Sequence, residues 1–484
     1  MNQLSKLQRS LELLQIILIF IFIILLPLIW VPCYIYRLLI ILLAKTQPKI
    51  FGKIFSFADA FLDEDFARYP PKSSIITTML IQGNLSVDWL RQHFDNSVLQ
   101  SKLGKSLRYP ELQQYPVNFL GQRFWKWDSK FKIETHIKEE TPTSMISCNN
   151  NSLEFDLATI HEELLNKPFQ KEASPWELLL FPSGQQETLL VLRLHHVLGD
   201  AKSILKLLVE CLGGQPLETA LPHQIQLSPW EKFLSTLLLP INYTFYLFQL
   251  GECAITSHFH PWKVSHFNEN SSKLVVGLSE QLPLTKLKKT AKEKEVTTSS
   301  LLLSIITRSI QTCFPHNNQK IDLGIGYILP KPLHPPFYLS NHVHMGMLHL
   351  PMLTSNKNLN LNECHRRFLH LKKSELFKYT DFTAFQLGTL PNPLRNIVAR
   401  NFYSASGVTN IAGEKQGFSL GNGGSWSCSQ MSMSVGTLPG GAGLIFCIFS
   451  YKEDIQVAII ANENIMNKEE AKKLANQIEI QFYK

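Results

Sequence analysis

Residues 189–201 read LLVLRLHHVLGDA, an apolar run that ends in two histidines and a carboxylate. The unbroken leucines and valines before the histidines predict a buried strand, and Asp200 stands where the N-cap of a following helix belongs. Side chains alternate between the two faces of a strand, so His196 shares a face with Leu194 while His195 lies on the opposite face. The two histidines therefore cannot enter one cavity from a regular strand.

His196 is the better candidate for chemistry because it lies on the apolar face of the predicted strand. A neutral imidazole at this position can remove a proton from a hydroxyl near pH 7, as a general base does. Two other interpretations stay open, a packed core histidine and a metal ligand. A zinc site needs three or four ligands at compatible spacing, and neither a CxxC nor an HxxxH motif lies nearby. We therefore expect no metal and no cofactor.

The composition fits a protein that works at a membrane. Of the 484 residues, 45% are hydrophobic and only 18% are charged, and the formal net charge is +8. The basic residues are scattered and form no patch with interleaved aromatic residues, so we expect no nucleic-acid partner. A weak attraction to anionic lipid surfaces fits this balance. The eight cysteines have neither metal nor redox spacing, which favours reduced thiols in the cytosol.

Residues 16–36 carry no charge, are mostly Ile, Leu, Phe and Val, and are long enough to span a bilayer. Pro27 and Pro32 are compatible with a kinked helix or a shallow re-entrant hairpin, in which residues 37–44 form the return leg or lie in the interface. The excess of flanking basic residues lies downstream and predicts a cytosolic body. These residues are Lys6 and Arg9 upstream, and Arg37, Lys45, Lys49 and Lys53 downstream.

Strands and helices alternate in two halves of similar size, so the chain is predicted to be α/β. We expect a membrane anchor at 1–50, a first lobe at 51–212, a crossover at 213–270 and a second lobe at 271–484. The crossover contains an apolar stretch at 230–250 that fits a second membrane span, an interfacial helix or a buried core helix.

Four further motifs accompany the His-His run in a fixed order along the chain. They are SFADAFL at 56–62, PFQ and SPWE within 168–177, TNIAG at 409–413 and SY at 450–451. With HHVLGDA at 195–201, this set resembles the motifs of the wax ester synthase/acyl-CoA:diacylglycerol O-acyltransferase family, within the HxxxD acyltransferase superfamily. The resemblance covers residues 55–480, and its ordered motifs are more specific than any one of them alone.

The resemblance implies a two-lobed chloramphenicol-acetyltransferase-like fold with a tunnel between the lobes. It implies transfer of a fatty acyl group from acyl-CoA, as co-substrate, to a lipid hydroxyl without an acyl-enzyme. His196 would then be the general base, Asp200 chiefly structural, and His195 a supporting residue. Candidates for binding the oxyanion or the substrate are Ser299, Asn410 and Gly199.

Three positions depart from the family pattern. Ala201 replaces the last glycine of HHxxxDG, Ser299 and Ser300 replace an Asn-Asp pair, and Glu414 replaces a proline. These departures motivate one alternative, a non-catalytic protein that binds acyl lipids; a second is an HxxxD enzyme that acylates a small alcohol or amine. Our main prediction is a membrane-bound O-acyltransferase that makes wax esters, triacylglycerol or both. We expect it in the endoplasmic reticulum, with the plasma membrane or a lipid droplet as alternatives.

Overall fold

A computed structural model describes residues 27–62, 73–140, 146–149, 152–182, 186–217, 228–258, 260, 262, 273–314, 322–331, 334–335, 338–352, 357–374, 376–398, 404–421, 424–437 and 442–484. The elements of the first half are α1 (Pro27–Lys45), β1 (Phe51–Ile54), α2 (Phe57–Leu62), β2 (Ser74–Gln82), α3 (Val87–Phe94), β3 (Lys102–Leu103), β4 (Ser106–Leu107), β5 (Gln114–Phe119), β6 (Gln122–Trp127), β7 (Ile137–Glu139), β8 (Ile146–Asn149), β9 (Ser152–Phe155), α4 (Leu157–Asn166), β10 (Trp176–Pro182), β11 (Glu187–His195) and α5 (Ala201–Leu205).

The elements of the second half are α6 (Pro229–Leu237), α7 (Leu239–His258), β12 (Leu274–Leu278), β13 (Leu282–Pro283), α8 (Leu284–Glu293), α9 (Thr298–Cys313), β14 (Leu323–Pro330), β15 (Val343–Leu350), α10 (Lys357–Lys373), α11 (Leu376–Thr389), α12 (Asn392–Val398), β16 (Ser406–Ala412), β17 (Ser419–Leu420), β18 (Trp426–Val435), β19 (Leu444–Tyr451), β20 (Asp454–Asn462) and α13 (Lys468–Tyr483).

Strand β11 confirms the predicted buried strand and lies inside the first large sheet, whose order is β17-β18-β2-β11-β10-β7. It pairs antiparallel with β10 on one side and with β2 on the other. Its side chains are buried from Thr188 to His195. A strand that is covered on both faces needs apolar residues on both faces, which explains the nearly continuous run of leucines.

The second large sheet has the order β12-β20-β19-β16-β14-β15, with β13 also paired to β20. Each lobe has its own apolar core, so the predicted two-lobed α/β architecture is confirmed. Strand β18 belongs to the second half of the chain, yet it pairs antiparallel with β2 of the first lobe. The boundary expected at residue 271 therefore does not fully separate the lobes in space.

Helix α1 runs without interruption through Pro32 to Lys45. Of the two alternatives, the hairpin with a return leg at 37–44 is therefore wrong, because those residues continue the same helix. Within the described ranges, α1 is the one helix that is long and apolar enough to cross a membrane. Residues 16–26 of the predicted span lie outside the described residues.

Arg37 fixes α1 to the body of the protein. Its side chain is only 4% exposed and donates to Gln122 Oε1 at 2.8 Å, the Gly388 carbonyl at 2.9 Å and the Phe55 carbonyl at 2.6 Å. Arg37 therefore does not act as a charge flanking the membrane segment, as the sequence had suggested. The excess of basic residues on the C-terminal side of the predicted membrane segment then consists of Lys45, Lys49 and Lys53.

The apolar stretch at 230–250 forms α6 and most of α7. Among the described helices, neither passes the length and hydropathy test for a membrane span, which does not support the second-span interpretation. Tyr243 and Cys253 are buried, whereas Phe245 and Ile255 on the same helix are 50% and 65% exposed. Helix α7 therefore packs one side on the protein and presents an apolar side outward.

Candidate active site

A cavity of about 470 Å³ lies between the two lobes, and His196 forms part of its wall. The first lobe contributes Ile75 and Leu205, and the second contributes Ile328 and Ile445. The wall is mostly apolar, and the volume lies in the range of cavities that enclose small-molecule ligands. The cavity is therefore the natural candidate for an active site.

His195 ends β11 and His196 directly follows it, and their side chains lie on opposite sides, as the alternation predicts. His196 lines the cavity, whereas His195 is fully buried on the other side of the sheet. There the Phe169 ring contacts both His195, with ring centroids 6.2 Å apart, and the Arg193 guanidinium, 3.8 Å from the ring centroid. His195 Nδ1 accepts a hydrogen bond from the backbone N–H of Val197 at 3.2 Å, so it holds the turn after the strand.

Asn341 determines which nitrogen of the His196 ring carries the proton. Its Nδ2 donates to Asp59 Oδ1 at 2.9 Å and to the His196 carbonyl at 2.8 Å. Both partners can only accept, so the amide must turn its oxygen toward His196 Nδ1, which lies 2.7 Å away. Nδ1 is therefore the protonated nitrogen, and Nε2 carries the lone pair that a base needs.

Asp59 in α2 completes this chain of hydrogen bonds. Its carboxylate is 6% exposed and accepts from Asn341 through Oδ1 and from Ser56 Oγ, at 2.6 Å, through Oδ2. Ser56 Oγ in turn accepts from the Asp59 N–H at 3.1 Å. We call Asp59, Asn341 and His196 the imidazole relay. The relay aligns an amide dipole, backed by a carboxylate, with the ring that would become positively charged.

The electrostatics of the site keep His196 neutral. Burial lowers the pKa of His196 below its ordinary value of 6.5. A backbone hydrogen bond, the negative charge of Asp200 and the hydrogen bond to Asn341 oppose this shift without cancelling it. An imidazole with a lowered pKa is unprotonated at pH 7 and is ready to accept a proton.

Asp200 is the predicted N-cap of α5, and its carboxylate also binds a loop of the second lobe. Oδ1 accepts from the Ser203 N–H at 2.9 Å and lies 3.1 Å from His334 Nε2, and Oδ2 accepts from the His342 N–H at 2.8 Å. Burial raises the pKa of Asp200, but the hydrogen bonds from His334 and these N–H groups lower it by more, so the net pKa is lowered. Asp200 thus ties the loop that carries Asn341 to the first lobe, and its role in the reaction stays a prediction.

Gly199 and Ala201 flank Asp200, but they differ in whether they line the cavity. A Cβ on Gly199 would lie 2.9 Å from Ser203 Cβ and 3.2 Å from the Ser340 backbone nitrogen. The glycine therefore allows the second-lobe loop to approach α5 closely. Of the described residues in this turn, Asp200 and Ala201 line the cavity and Gly199 does not.

The structure brings together Ser299 and Asn410, which the sequence assigned to one site. Asn410 of β16 lines the cavity, and its Nδ2 donates to Ser299 Oγ at 3.3 Å. The Tyr327 hydroxyl also hydrogen-bonds both side chains. Among the described residues, Asn410 is in the cavity wall and Ser299 lies behind it. Their roles in catalysis stay predictions.

Sequence reasoning missed Asn341 and His334, and it quoted Asp59 without assigning it a role. Asp59 lies in the motif SFADAFL, which was a usable signal. Asn341 and His334 belong to an irregular segment between β14 and β15, where no periodicity marks them. Within the described ranges, no three His, Cys, Asp or Glu side chains are grouped so as to hold a metal ion.

No protein-family model and no curated protein matches this sequence. Solved structures do match its fold. The wax ester synthase/diacylglycerol acyltransferase from Marinobacter aquaeolei VT8 is 14% identical, with a TM-score of 0.54 over 85% of this chain and 93% of that chain. The first condensation domain of the calcium-dependent antibiotic synthetase, in complex with a substrate analogue, is 11% identical, with a TM-score of 0.55 over 90% and 96% of the two chains.

A mutant starter condensation domain of rhizomide synthetase in complex with C8-CoA is 10% identical, with a TM-score of 0.54 over 91% of this chain and 96% of that chain. At such low identities the matches establish the fold and leave the reaction to be argued from the site. The chain thus has the two-lobed α/β fold of the wax ester synthase and the condensation domains, as its ordered motifs predicted.

Proposed function

We propose that this protein is an acyl-CoA-dependent O-acyltransferase that transfers a fatty acyl group to a lipid hydroxyl. The observation that carries the proposal is the His196 ring, held by Asn341 in the tautomer of a base, on the wall of an apolar cavity between the lobes. A long-chain alcohol or a diacylglycerol needs an apolar route to the base. The acceptor hydroxyl needs a neutral imidazole to remove its proton.

The reaction needs one base and no covalent enzyme intermediate. His196 Nε2 takes the proton of the acceptor hydroxyl while that oxygen attacks the thioester carbonyl carbon of acyl-CoA. The tetrahedral oxyanion then collapses, the carbon–sulfur bond breaks, and the imidazolium returns the proton to the departing CoA thiolate. The products are an ester and free CoA. The imidazole relay stabilises the transient positive charge, because the Asn341 amide oxygen faces Nδ1.

Asn410 is our candidate for stabilising the oxyanion. An amide nitrogen has two N–H donors, and Ser299 Oγ takes one of them at 3.3 Å. The Tyr327 hydroxyl also bonds this side chain, so a negatively charged oxygen in the cavity would take one N–H of Asn410 in place of one of these two hydroxyls. Ser299 and the Tyr327 hydroxyl then act as positioning residues for that amide.

Two of the similar structures support this choice of substrates. One is named as a wax ester synthase/diacylglycerol acyltransferase, and another holds C8-CoA. We therefore take acyl-CoA as the donor, and a fatty alcohol, a diacylglycerol or both as acceptors. Helix α1 supports a membrane location, for which we propose the endoplasmic reticulum with the body in the cytosol.

The deciding experiment combines labelled acyl-CoA with a panel of lipid alcohols and small soluble alcohols. Wild-type protein should form labelled esters of the lipid alcohols and release CoA, whereas His196→Ala should lose about a hundredfold or more of that rate. His370→Ala is the matched control, since this histidine is exposed on α10.

Three outcomes would contradict the proposal. Unchanged ester synthesis by His196→Ala would show that His196 is not the general base. Esters of small soluble alcohols alone would favour the other type of HxxxD enzyme. Binding of acyl lipid by folded wild-type protein, with no CoA release, would favour a non-catalytic lipid-binding protein.

A further inference from the structure

Helices α1, α7 and α12 all contribute to the wall of the cavity that contains His196. Trp30 of α1, Leu247 of α7 and Val398 of α12 line it. Val398 is also 53% exposed, so the cavity reaches the molecular surface beside α12. One apolar cavity thus runs from the proposed base to residues of these three helices and reaches the surface at Val398.

The three helices are held together by α11. Tyr34 of α1 packs on Phe385 of α11, with ring centroids 5.7 Å apart. Tyr243 of α7 packs on Phe382 of α11 at 4.8 Å and donates to Gln386 at 2.6 Å. Helix α12 follows α11 directly along the chain. The outward sides of these helices therefore belong to one region of the surface.

That region is apolar and uncovered, and we call it the apolar face. Its members are large hydrophobic side chains that are half-exposed or more. They include Leu28, Leu39 and Leu42 on α1, Phe245 on α7 and Ile397 on α12, with exposures between 50% and 68%. Soluble monomers rarely leave large contiguous apolar patches open to water, so a face of this kind needs a partner that covers it.

We infer that the apolar face inserts into one leaflet of a lipid bilayer and that the acceptor alcohol enters the cavity from the leaflet hydrocarbon. Helix α1 argues for lipid, because its apolar window has a mean hydropathy of 1.9 and is only 17% buried. Exposed Lys45 and Lys49 follow its apolar part, where anionic headgroups would lie. The identity of the acceptor in this inference rests on the proposed function.

Arg37 keeps α1 in a fixed position next to the cavity. Its guanidinium binds Gln122, Phe55 and Gly388 on the body, which holds α1 beside the cavity that Trp30 lines. A lipid that diffuses along the outer side of α1 therefore meets the opening within the apolar layer. The acceptor would not have to cross water.

The test separates the delivery of the acceptor from the chemistry. Full-length Ile397→Glu and Phe245→Glu place a carboxylate on the apolar face without touching the imidazole relay. Ile480→Glu is the matched control, because Ile480 is a 46% exposed apolar residue on α13 of the second lobe. Each protein is assayed with palmitoyl-CoA and two acceptors, hexadecanol in phosphatidylcholine vesicles and hexanol in water.

We expect the two face variants to lose about tenfold or more of the rate with vesicle-borne hexadecanol, because an ionised carboxylate enters hydrocarbon only at high cost. Their rate with hexanol, and both rates of Ile480→Glu, should stay within about twofold of wild type. Face variants that use vesicle-borne hexadecanol as well as wild type would overturn the lateral route and leave the acyltransferase standing. Equal losses with both acceptors would also overturn it.

A second readout does not depend on turnover. A photoactivatable hexadecanol in the same vesicles should label peptides from α7 and α12 of the wild-type protein. Labelling confined to other parts of the chain would refute the route, and so would a stable dimer in detergent-free solution that buries the face. Failure of wild type to esterify either acceptor would count against the proposed function instead.

Discussion

Replacing Asn341 by alanine should slow acyl transfer strongly while leaving the cavity open. The change removes the acceptor that faces His196 Nδ1 at 2.7 Å and the donor that reaches Asp59 at 2.9 Å. The His196 ring can then bind its proton on either nitrogen, and only the form with a free Nε2 works as the base. The buried Asp59 carboxylate also loses one of its donors.

The size of the effect follows from the charge on the ring. In the ground state the lost hydrogen bond joins two neutral groups, but in the transition state His196 is becoming an imidazolium. A hydrogen bond to a charged group is worth about 1.5–3 kcal/mol. Since about 1.4 kcal/mol changes a rate tenfold, kcat should fall by about 10- to 150-fold. The loss should be smaller than that of His196→Ala, which removes the base itself.

The pH dependence of kcat/KM tests whether the lower rate of Asn341→Ala arises from the changed environment of His196. Because burial lowers the pKa of His196, the wild-type rate should be level at pH 7 and fall only below the ordinary histidine range. The hydrogen bond to Asn341 raises that pKa. Its removal should therefore move the acidic limb to still lower pH while the plateau drops.

Asn360→Ala is the matched control for lost packing. Asn360 is fully buried in the second lobe, where it accepts from Ser304 at 2.8 Å and donates to the Pro351 carbonyl at 3.1 Å. The control should lower the free energy of unfolding and leave kcat of the folded protein unchanged. CoA release and ester yield measure both variants. A kcat of Asn341→Ala within about twofold of wild type, or a loss that the control reproduces, would refute the relay.

Two further predictions concern stability. Gly199→Ala should lower the free energy of unfolding by about 1–3 kcal/mol in a denaturant titration, because the new Cβ would lie 2.9 Å from Ser203 Cβ. Gly251→Ala is the control, because a Cβ on this residue of α7 would meet open space, and it should not destabilise the protein. Equal losses of stability in the two variants would contradict the steric explanation. His161 lies between Thr78 and Ser434, and burial lowers its pKa from 6.5 to about 3. Because the unfolded chain binds this proton first, the contribution of His161 to the free energy of unfolding should fall as pH drops below 6.5, by about 1.4 kcal/mol per pH unit. His161→Asn should flatten that slope relative to wild type, and parallel curves would contradict the prediction.

The sequence predicted those parts of the site whose geometry is local. Alternation along the strand expected from the sequence assigned His196 to the apolar face and His195 to the opposite face. The position of Asp200 predicted the cap of α5, which its contact with Ser203 confirms. Strand alternation and capping depend on neighbours a few residues away, so a single sequence contains enough information to place them.

The relay and the docking of α1 depend on contacts between distant parts of the chain. Asn341 reaches His196 from 145 positions away, and Arg37 binds the Gly388 carbonyl across 351 positions. Neither residue lies in a periodic pattern that reveals its partner. Arg37 illustrates the difficulty, because a lone arginine in an apolar run is typical of the end of a membrane segment. Only the folded body supplies the carbonyl and amide oxygens that bury it.

The pairing of β18 with β2 also affects the order in which the chain can fold during synthesis. Residues 428–435 of β18 pair with β2 of the first lobe, and apart from β17 the other strands of that sheet lie before residue 196. While the ribosome makes the intervening chain, β2 exposes an unpaired edge that can bind another strand. The first lobe is thus finished only after most of the second has been translated. A nascent chain of this protein needs protection of that edge for most of its synthesis.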